Sequence, residues 1–146
     1  MLTCSIHIRP RYGEVDSMGY LYHARYVDYC HEARTALFRT IGIHDSVLDA
    51  SNVLLPVIKM KLKYHHPSFY DEVLTVTATL MELPLTRCKL CISFTNGEGE
   101  KVCSAYSEIA FADKETRRAI RAPEFIMQKI LPAWEKQMVK ETYHED

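Results

Sequence analysis

A chain of 146 residues with 47% apolar and 25% charged residues is long enough for one well-buried core and too short for two ordinary domains. A formal net charge of −1 excludes a global attraction to nucleic acid or to an acidic membrane surface, so an anionic ligand needs a local basic patch. No run approaches the roughly 18 apolar residues of a membrane span, and the amino terminus, MLTCSIHIRPRYGE, carries charges early and lacks a signal-like apolar stretch, which makes the cytoplasm the expected compartment.

Thr3 to Arg11 alternates, with Cys4, Ile6 and Ile8 on one side and Ser5, His7 and Arg9 on the other. That is a half-buried strand, with Pro10 at its end. Asp16-Ser17-Met18-Gly19 is turn chemistry. The spacing then changes to three and four: Tyr22, Tyr26, Tyr29, Cys30, Ala33, Leu37 and Ile41 form an apolar stripe. It predicts a helix of about 20 residues, roughly 30 Å long, starting near Tyr22 and His23 and stopped by Gly42.

From Leu54 onward the period is two. Ile58, Met60, Leu62 and Tyr64 alternate with three lysines, and Pro67 ends that strand. Leu74 to Leu80, Cys88 to Phe94 and Val102 to Ala112 follow as three more, with Asn96-Gly97 as a hairpin signal. Phe125, Ile126, Ile130, Trp134 and Met138 predict a final helix interrupted near Pro132. Short links force antiparallel neighbours. One striped helix beside one sheet gives an α+β domain, the sheet curled around the helix. We read one domain over residues 1–139 and a polar tail over 140–146.

Five cysteines cannot all pair within one chain, so reduced thiols are expected. Cys88 and Cys91 have C-x-x-C spacing on a strand, where residues three apart point to opposite faces. No second such pair exists, and His23 and His31 have no third ligand at recognisable spacing. No metal and no cofactor are expected.

Arg11 to Arg34 is the informative stretch, RYGEVDSMGYLYHARYVDYCHEAR. It places Asp16 in the turn between a strand and a helix start. A carboxylate there can attack an acyl group or activate water. The unpaired N–H groups of the helix start can hold an oxyanion. A thiol leaving group, with a pKa of about 8.5, departs without strong acid help, so such a site suits a thioester better than an amide. An Asp in this position is equally the ordinary turn former or cap. Tyr12, Tyr22, Tyr26 and Tyr29 are by default core residues with a polar tip, and a lone histidine such as His23 is ordinarily structural.

The pattern R-Y-x-E-x-D-x-M-G-x-x-Y-H-x-x-Y-x-x-Y-x-x-E-A-R resembles the 4-hydroxybenzoyl-CoA thioesterase family of hotdog-fold proteins, and among them the short acyl-CoA thioesterases associated with the Tol–Pal system. Pro56-Val57, Tyr64, Pro67 and Tyr70-Asp71 agree with it. The resemblance covers roughly residues 3 to 130 and implies a hotdog fold, a curved antiparallel sheet wrapped around a long central helix. It further implies a homodimer or homotetramer with active sites between subunits. It puts the catalytic aspartate on Asp16, the oxyanion-binding amide on His23, and a site tyrosine and histidine on Tyr12 and His23. Gly19, Tyr22 and Tyr26 then fall beside the substrate. Arg25 stands where many relatives carry asparagine, at the expected pocket mouth.

The implied substrate is an acyl-CoA or an acyl carrier protein thioester. Arg117, Arg118 and Arg121 are candidates for coenzyme A phosphates, as are Lys59, Lys61 and Lys63, although lysines on a strand face are ordinarily just solvated. Two rivals stand beside hydrolysis. A hydratase or dehydratase of this fold places a histidine about five residues after the aspartate, where Leu21 sits here. A non-catalytic acyl-thioester binder has no need of Asp16 and Gly19. Acyl chain length, aromaticity and the choice of nucleophile or general base are not specified by the residues.

Overall fold

The computed structural model describes residues 1–144. The chain runs β1 (Leu2–Ile8), a single 3-10 turn (Tyr12–Glu14), α1 (Arg25–Thr40), α2 (Asp45–Ala50), β2 (Val53–Leu54), β3 (Val57–Tyr64), β4 (Leu74–Leu80), β5 (Arg87–Thr95), β6 (Lys101–Asp113), β7 (Ala119–Ile120) and α3 (Glu124–His144). Every pairing is antiparallel, as the short connections require. The path is β1-β4-β5-β6, with β3 and β2 also paired to β6 and β7 folded back on it.

Alternation in the sequence becomes two faces of one sheet. Ile6, Val76, Ile92, Ala105 and Ile109 belong to the apolar face, which wraps the striped side of α1. Tyr26, Tyr29, Cys30, Ala33, Leu37 and Phe38 are the buried residues of that helix. The opposite face is a hydroxyl ladder: Thr3 meets Thr79 at 3.2 Å and Ser5 meets Thr77 at 2.7 Å. The architecture is the α+β hotdog, a curved sheet around a central helix.

Three boundaries differ from the sequence reading. α1 starts at Arg25 and not at Tyr22, because the Tyr22 carbonyl accepts the Arg25 N–H (2.9 Å) and the chain enters the helix through a turn. α3 runs through Pro132 uninterrupted, and the polar segment from Lys140 continues it to His144, while 145 and 146 lie outside the described residues. α2, β2 and β7 are too short to carry a periodic signal. Gly42 does end α1, with φ of 82° and its N–H on the Arg39 carbonyl. Cys88 is buried and Cys91 exposed, so the C-x-x-C pair diverges as the strand period requires.

Candidate active site

Asp16 closes a tight turn between the 3-10 turn and α1. Its Oδ1 accepts the backbone N–H groups of Met18 (2.8 Å) and Tyr20 (3.1 Å), and its own N–H donates to the Tyr20 carbonyl at 2.7 Å. Gly19 supplies the left-handed step, φ 81°, that this geometry needs. The turn-forming role is therefore real, but it uses one oxygen. Oδ2 has no hydrogen-bond partner among the described residues. Asp16 lines an open cavity of about 330 Å³ together with Leu21, His23, Tyr26, Tyr64 and His65.

Both flanks of the turn are fixed. The Leu21 N–H donates to Ser68 O (2.8 Å) and the Tyr22 N–H to Glu14 O (2.9 Å). Glu14 Oε1 in turn accepts the Tyr29 hydroxyl (2.8 Å) and the Arg11 N–H (3.0 Å), tying the turn to α1. Ser68 is fully buried, and its hydroxyl donates to Glu72 Oε1 at 2.6 Å. These bonds hold the Asp16 turn against the loop between β3 and β4.

The chain passes His23 just before the helix. The backbone N–H groups of His23 and Ala24 meet no acceptor among the described residues. The His23 carbonyl accepts the Tyr64 hydroxyl at 2.9 Å, and its ring packs on Tyr22 with centroids 4.4 Å apart. Two orphan donors at the positive end of a helix thus stand beside a cavity lined by a free carboxylate oxygen. Tyr26 forms the inner wall, edge-on to Tyr64 (5.1 Å) and Phe94 (5.4 Å), and burial raises its phenol above the ordinary range.

The other expected residues fall elsewhere. Tyr12 is 80% exposed and stacks edge-on against Tyr70 at 5.9 Å, lining a neighbouring cavity of about 730 Å³. Tyr22 is exposed outside the Asp16 cavity, and Gly19 shapes the turn without lining it. Arg25 pairs on the surface with Asp28 at 3.4 Å. Arg117, Arg118 and Arg121 are exposed around the β6–β7 connection, which Asp113 closes by accepting the Glu115 and Thr116 N–H groups, both at 2.9 Å. Those bonds hold the Asp113 carboxyl below its ordinary value. Tyr64 at the cavity pairs with Cys103, whereas the arginines follow Asp113. About 33 Å of strand at 3.3 Å per residue separates the two within one chain.

His65 and His66 were not singled out from the sequence, although two histidines before the strand-ending Pro67 are a visible signal. Both line the Asp16 cavity. His65 Nε2 lies 2.9 Å from Ser104 Oγ, and His66 Nε2 lies 3.8 Å from Glu100 Oε2. Among the described residues no cluster of His, Cys, Asp and Glu is placed to hold a metal, and no helix is long and apolar enough to cross a membrane.

Comparison with known proteins gives this geometry a context. Residues 10–130 match the sequence model of the thioesterase-like superfamily. A protein of Bacillus subtilis (strain 168), provisionally named acyl-CoA thioesterase YneP, is 30% identical over 87% of this chain and 88% of its own length. The acyl-CoA thioester hydrolase YbgC of Escherichia coli O6:H1 is 29% identical over 62% of this chain and 68% of its own. Among solved structures, the DHNA-CoA thioesterase of Staphylococcus aureus superposes with a TM-score of 0.79 at 22% identity, covering 98% of this chain and 93% of that one. An aspartate-to-asparagine variant of 4-hydroxybenzoyl CoA thioesterase, bound to 4-hydroxybenzoyl CoA, gives 0.80 at 17% identity over 88% and 99%.

Proposed function

For a chain that belongs to the thioesterase-like superfamily and hydrolyses thioesters, we propose that Asp16 is the catalytic carboxylate and that the N–H groups of His23 and Ala24 bind the oxyanion. One observation carries this reading: the turn occupies one Asp16 oxygen and, among the described residues, leaves the other without a partner, and Asp16 lines one cavity with His23, whose N–H is unpaired. As general base, Oδ2 takes a proton from water, whose oxygen adds to the thioester carbonyl. As nucleophile, Oδ2 adds itself and water later cleaves the mixed anhydride. In both routes the carbonyl oxygen becomes an anion facing the two N–H groups, and collapse expels a thiolate that needs little protonation. Solvent oxygen found in Asp16 after a single turnover, or a trapped acyl-Asp16 anhydride, marks the nucleophile.

The substrate of this reading is an acyl-CoA or an acyl carrier protein thioester, as in the relatives that act on CoA esters. His23 and Tyr26, which line the Asp16 cavity, border the acyl carbonyl, while Gly19 acts through the turn that holds Asp16 and Tyr22 through its ring packed on His23. Tyr12, Arg117, Arg118 and Arg121 lie away from the Asp16 cavity of their own chain, so they serve the site of a partner subunit. β3 supports such an assembly, since among the described residues it is hydrogen-bonded only on its β6 side and exposes Val57, Ile58 and Tyr64. We assign a homodimer or a homotetramer on this basis, in the cytoplasm, whose reducing conditions suit five unpaired thiols.

The test is Asp16→Asn assayed for free thiol release over aromatic, short, medium and long acyl-CoAs. A folded variant with almost no turnover is expected, and wild-type turnover overturns the assignment.

A further inference from the structure

A second cavity, of about 80 Å³, opens between α1 and the sheet one helical step beyond the Asp16 cavity. The two lie in succession along one seam. On α1, Tyr26 lines the first, while Val27, Cys30, His31 and Arg34 line the second. On β3, Tyr64 lines the first, and Met60 and Val57 the second. Val27 and Val57, 41% and 51% exposed, form the apolar rim of the second cavity. From Tyr26 to Arg34 the helix advances about 12 Å. Helical side chains lean toward the amino terminus, which brings the Arg34 head back toward the first cavity.

The far cavity is apolar apart from three polar side chains. Arg34 is half-buried, and its one hydrogen bond among the described residues runs from Nη2 to His31 Nδ1 at 3.0 Å. A guanidinium only donates, so His31 Nδ1 is the acceptor and the imidazole proton sits on Nε2. No carboxylate among the described residues forms an ion pair with Arg34. Asp45 and Asp49 lie on its other side, around a neighbouring cavity.

Ser107 is the third. It is 5% exposed on the apolar face of β6, between Ala105 and Ile109, and its hydroxyl has no hydrogen-bond partner among the described residues. Among the described residues no fully buried side-chain nitrogen or oxygen lacks a partner, so that hydroxyl is reachable from the cavity that Ser107 lines. A hydroxyl without a partner in an apolar wall is costly, and the Arg34 guanidinium keeps N–H groups beyond the one spent on His31. They are the few polar groups by which an apolar pocket orients a ligand. Guanidinium N–H, imidazole Nε2–H and hydroxyl make a donor-rich set, complementary to a carboxylate. Burial, with the Arg34 charge beside it, lowers the His31 pKa and keeps the ring neutral.

We propose that the preferred acyl group carries a carboxylate at its far end, held by Arg34, His31 and Ser107 at the end of the α1–β3 seam. The substrate class is an ω-carboxyacyl thioester. The volume suits it, because a cavity near 80 Å³ takes a carboxylate and a few carbons, whereas about 150 Å³ is known to hold benzene. This inference rests on the Asp16 reading, which places the thioester carbonyl at the start of the seam.

The experiment uses CoA thioethers, which bind without being hydrolysed. S-(ω-carboxyalkyl)-CoA and S-alkyl-CoA of matched lengths are titrated by calorimetry into the wild type, Arg34→Met, Arg34→Lys, Ser107→Ala and Asp16→Asn. At the best length the carboxylated ligand is expected to bind at least tenfold tighter to the wild type. Arg34→Met erases that ratio, Arg34→Lys keeps part of it, Ser107→Ala reduces it and Asp16→Asn retains it. The inference falls if the wild type binds the plain alkyl thioether equally well at every length. It falls too if Arg34→Met weakens both ligands alike, which is the mark of a structural role. Should Arg34→Met fail to fold, the wild-type ratio and Ser107→Ala decide. If the ratio holds while Asp16→Asn still hydrolyses acyl-CoA, the catalytic reading fails and the carboxylate preference stands as a property of the Arg34 cavity alone.

Discussion

Replacing Asp16 by asparagine separates its two roles, because the side chain uses its oxygens differently. Oδ1 accepts from Met18 and Tyr20, and an asparagine Oδ1 can accept the same two N–H groups. The amide nitrogen takes the place of Oδ2, which has no hydrogen-bond partner among the described residues. The turn therefore loses only the extra strength of an ionised acceptor, about 1 kcal/mol. In a domain of this size that is about 2–4 °C in Tm. Asp16→Ala loses both bonds, about 2 kcal/mol or more and roughly twice the shift. Removing the only free carboxylate oxygen at the turn abolishes proton abstraction and nucleophilic attack alike, which costs on the order of 10²–10⁴ in kcat. The measurements are thermal melts beside continuous thiol release from a short acyl-CoA. The reasoning is refuted if Asp16→Asn turns over within about tenfold of wild type. It is also refuted if it melts as low as Asp16→Ala, since the turn would then depend on charge and its loss would explain any loss of activity.

Gly19→Ala meets no heavy atom within 4 Å at its Cβ, so its cost is the left-handed backbone alone, about 1–2 kcal/mol; a melting point lowered by roughly 2–8 °C is expected. Tyr64→Phe removes the hydroxyl that holds the His23 carbonyl, and is expected to lower kcat/KM several-fold while costing only about 1 kcal/mol in chemical denaturation. Replacing Arg117, Arg118 and Arg121 together by alanine should raise KM at least tenfold for an acyl-CoA and leave an acyl-pantetheine ester, which lacks the nucleotide, within twofold in steady-state assays. Burial pushes Cys30 and Cys88 up to about 12 and Cys103 up to about 11, from an ordinary value of 9.0. In the folded protein these thiols keep their protons where the unfolded chain gives them up, so stability is intact below about pH 9 and falls as pH rises toward 12. Denaturation midpoints across that window test the sign, and a thiol reagent at pH 8 should reach Cys91 while sparing those three until the chain unfolds.

The fold was legible because its core is built from strong periodic signals. Leu74 to Leu80 and Cys88 to Phe94 alternate without a break, and each became a strand whose alternate residues are buried. Such a signal needs several residues, so the two-residue strands Val53–Leu54 and Ala119–Ile120 had none to offer. Pro132 shows the limit of a local rule: the ring removes one N–H, yet α3 is anchored on the core side by Ile126 and Ile130 and continues past it. At the candidate site, Asp16 and His23 could be singled out because turn chemistry and helix onset are local in sequence, and they line one cavity. Their partners could not. Tyr64, His65 and Ser68 reach the same place through the β3–β4 connection, and nothing in a one-dimensional spacing says that this loop closes over the Asp16 turn.

Ser107 carries the same point further. In the sequence it is one residue on a strand face otherwise made of Cys103, Ala105, Ile109 and Phe111, and it reads as a tolerated small polar group. Only when β6 is laid beneath α1 does its hydroxyl meet the same cavity as Arg34 and His31. The proposed catalytic position is local in sequence, a turn and a helix start. The proposed acyl selectivity belongs to the seam, where one helix and three strands distant in sequence line a single cavity, and it becomes readable only from the packing.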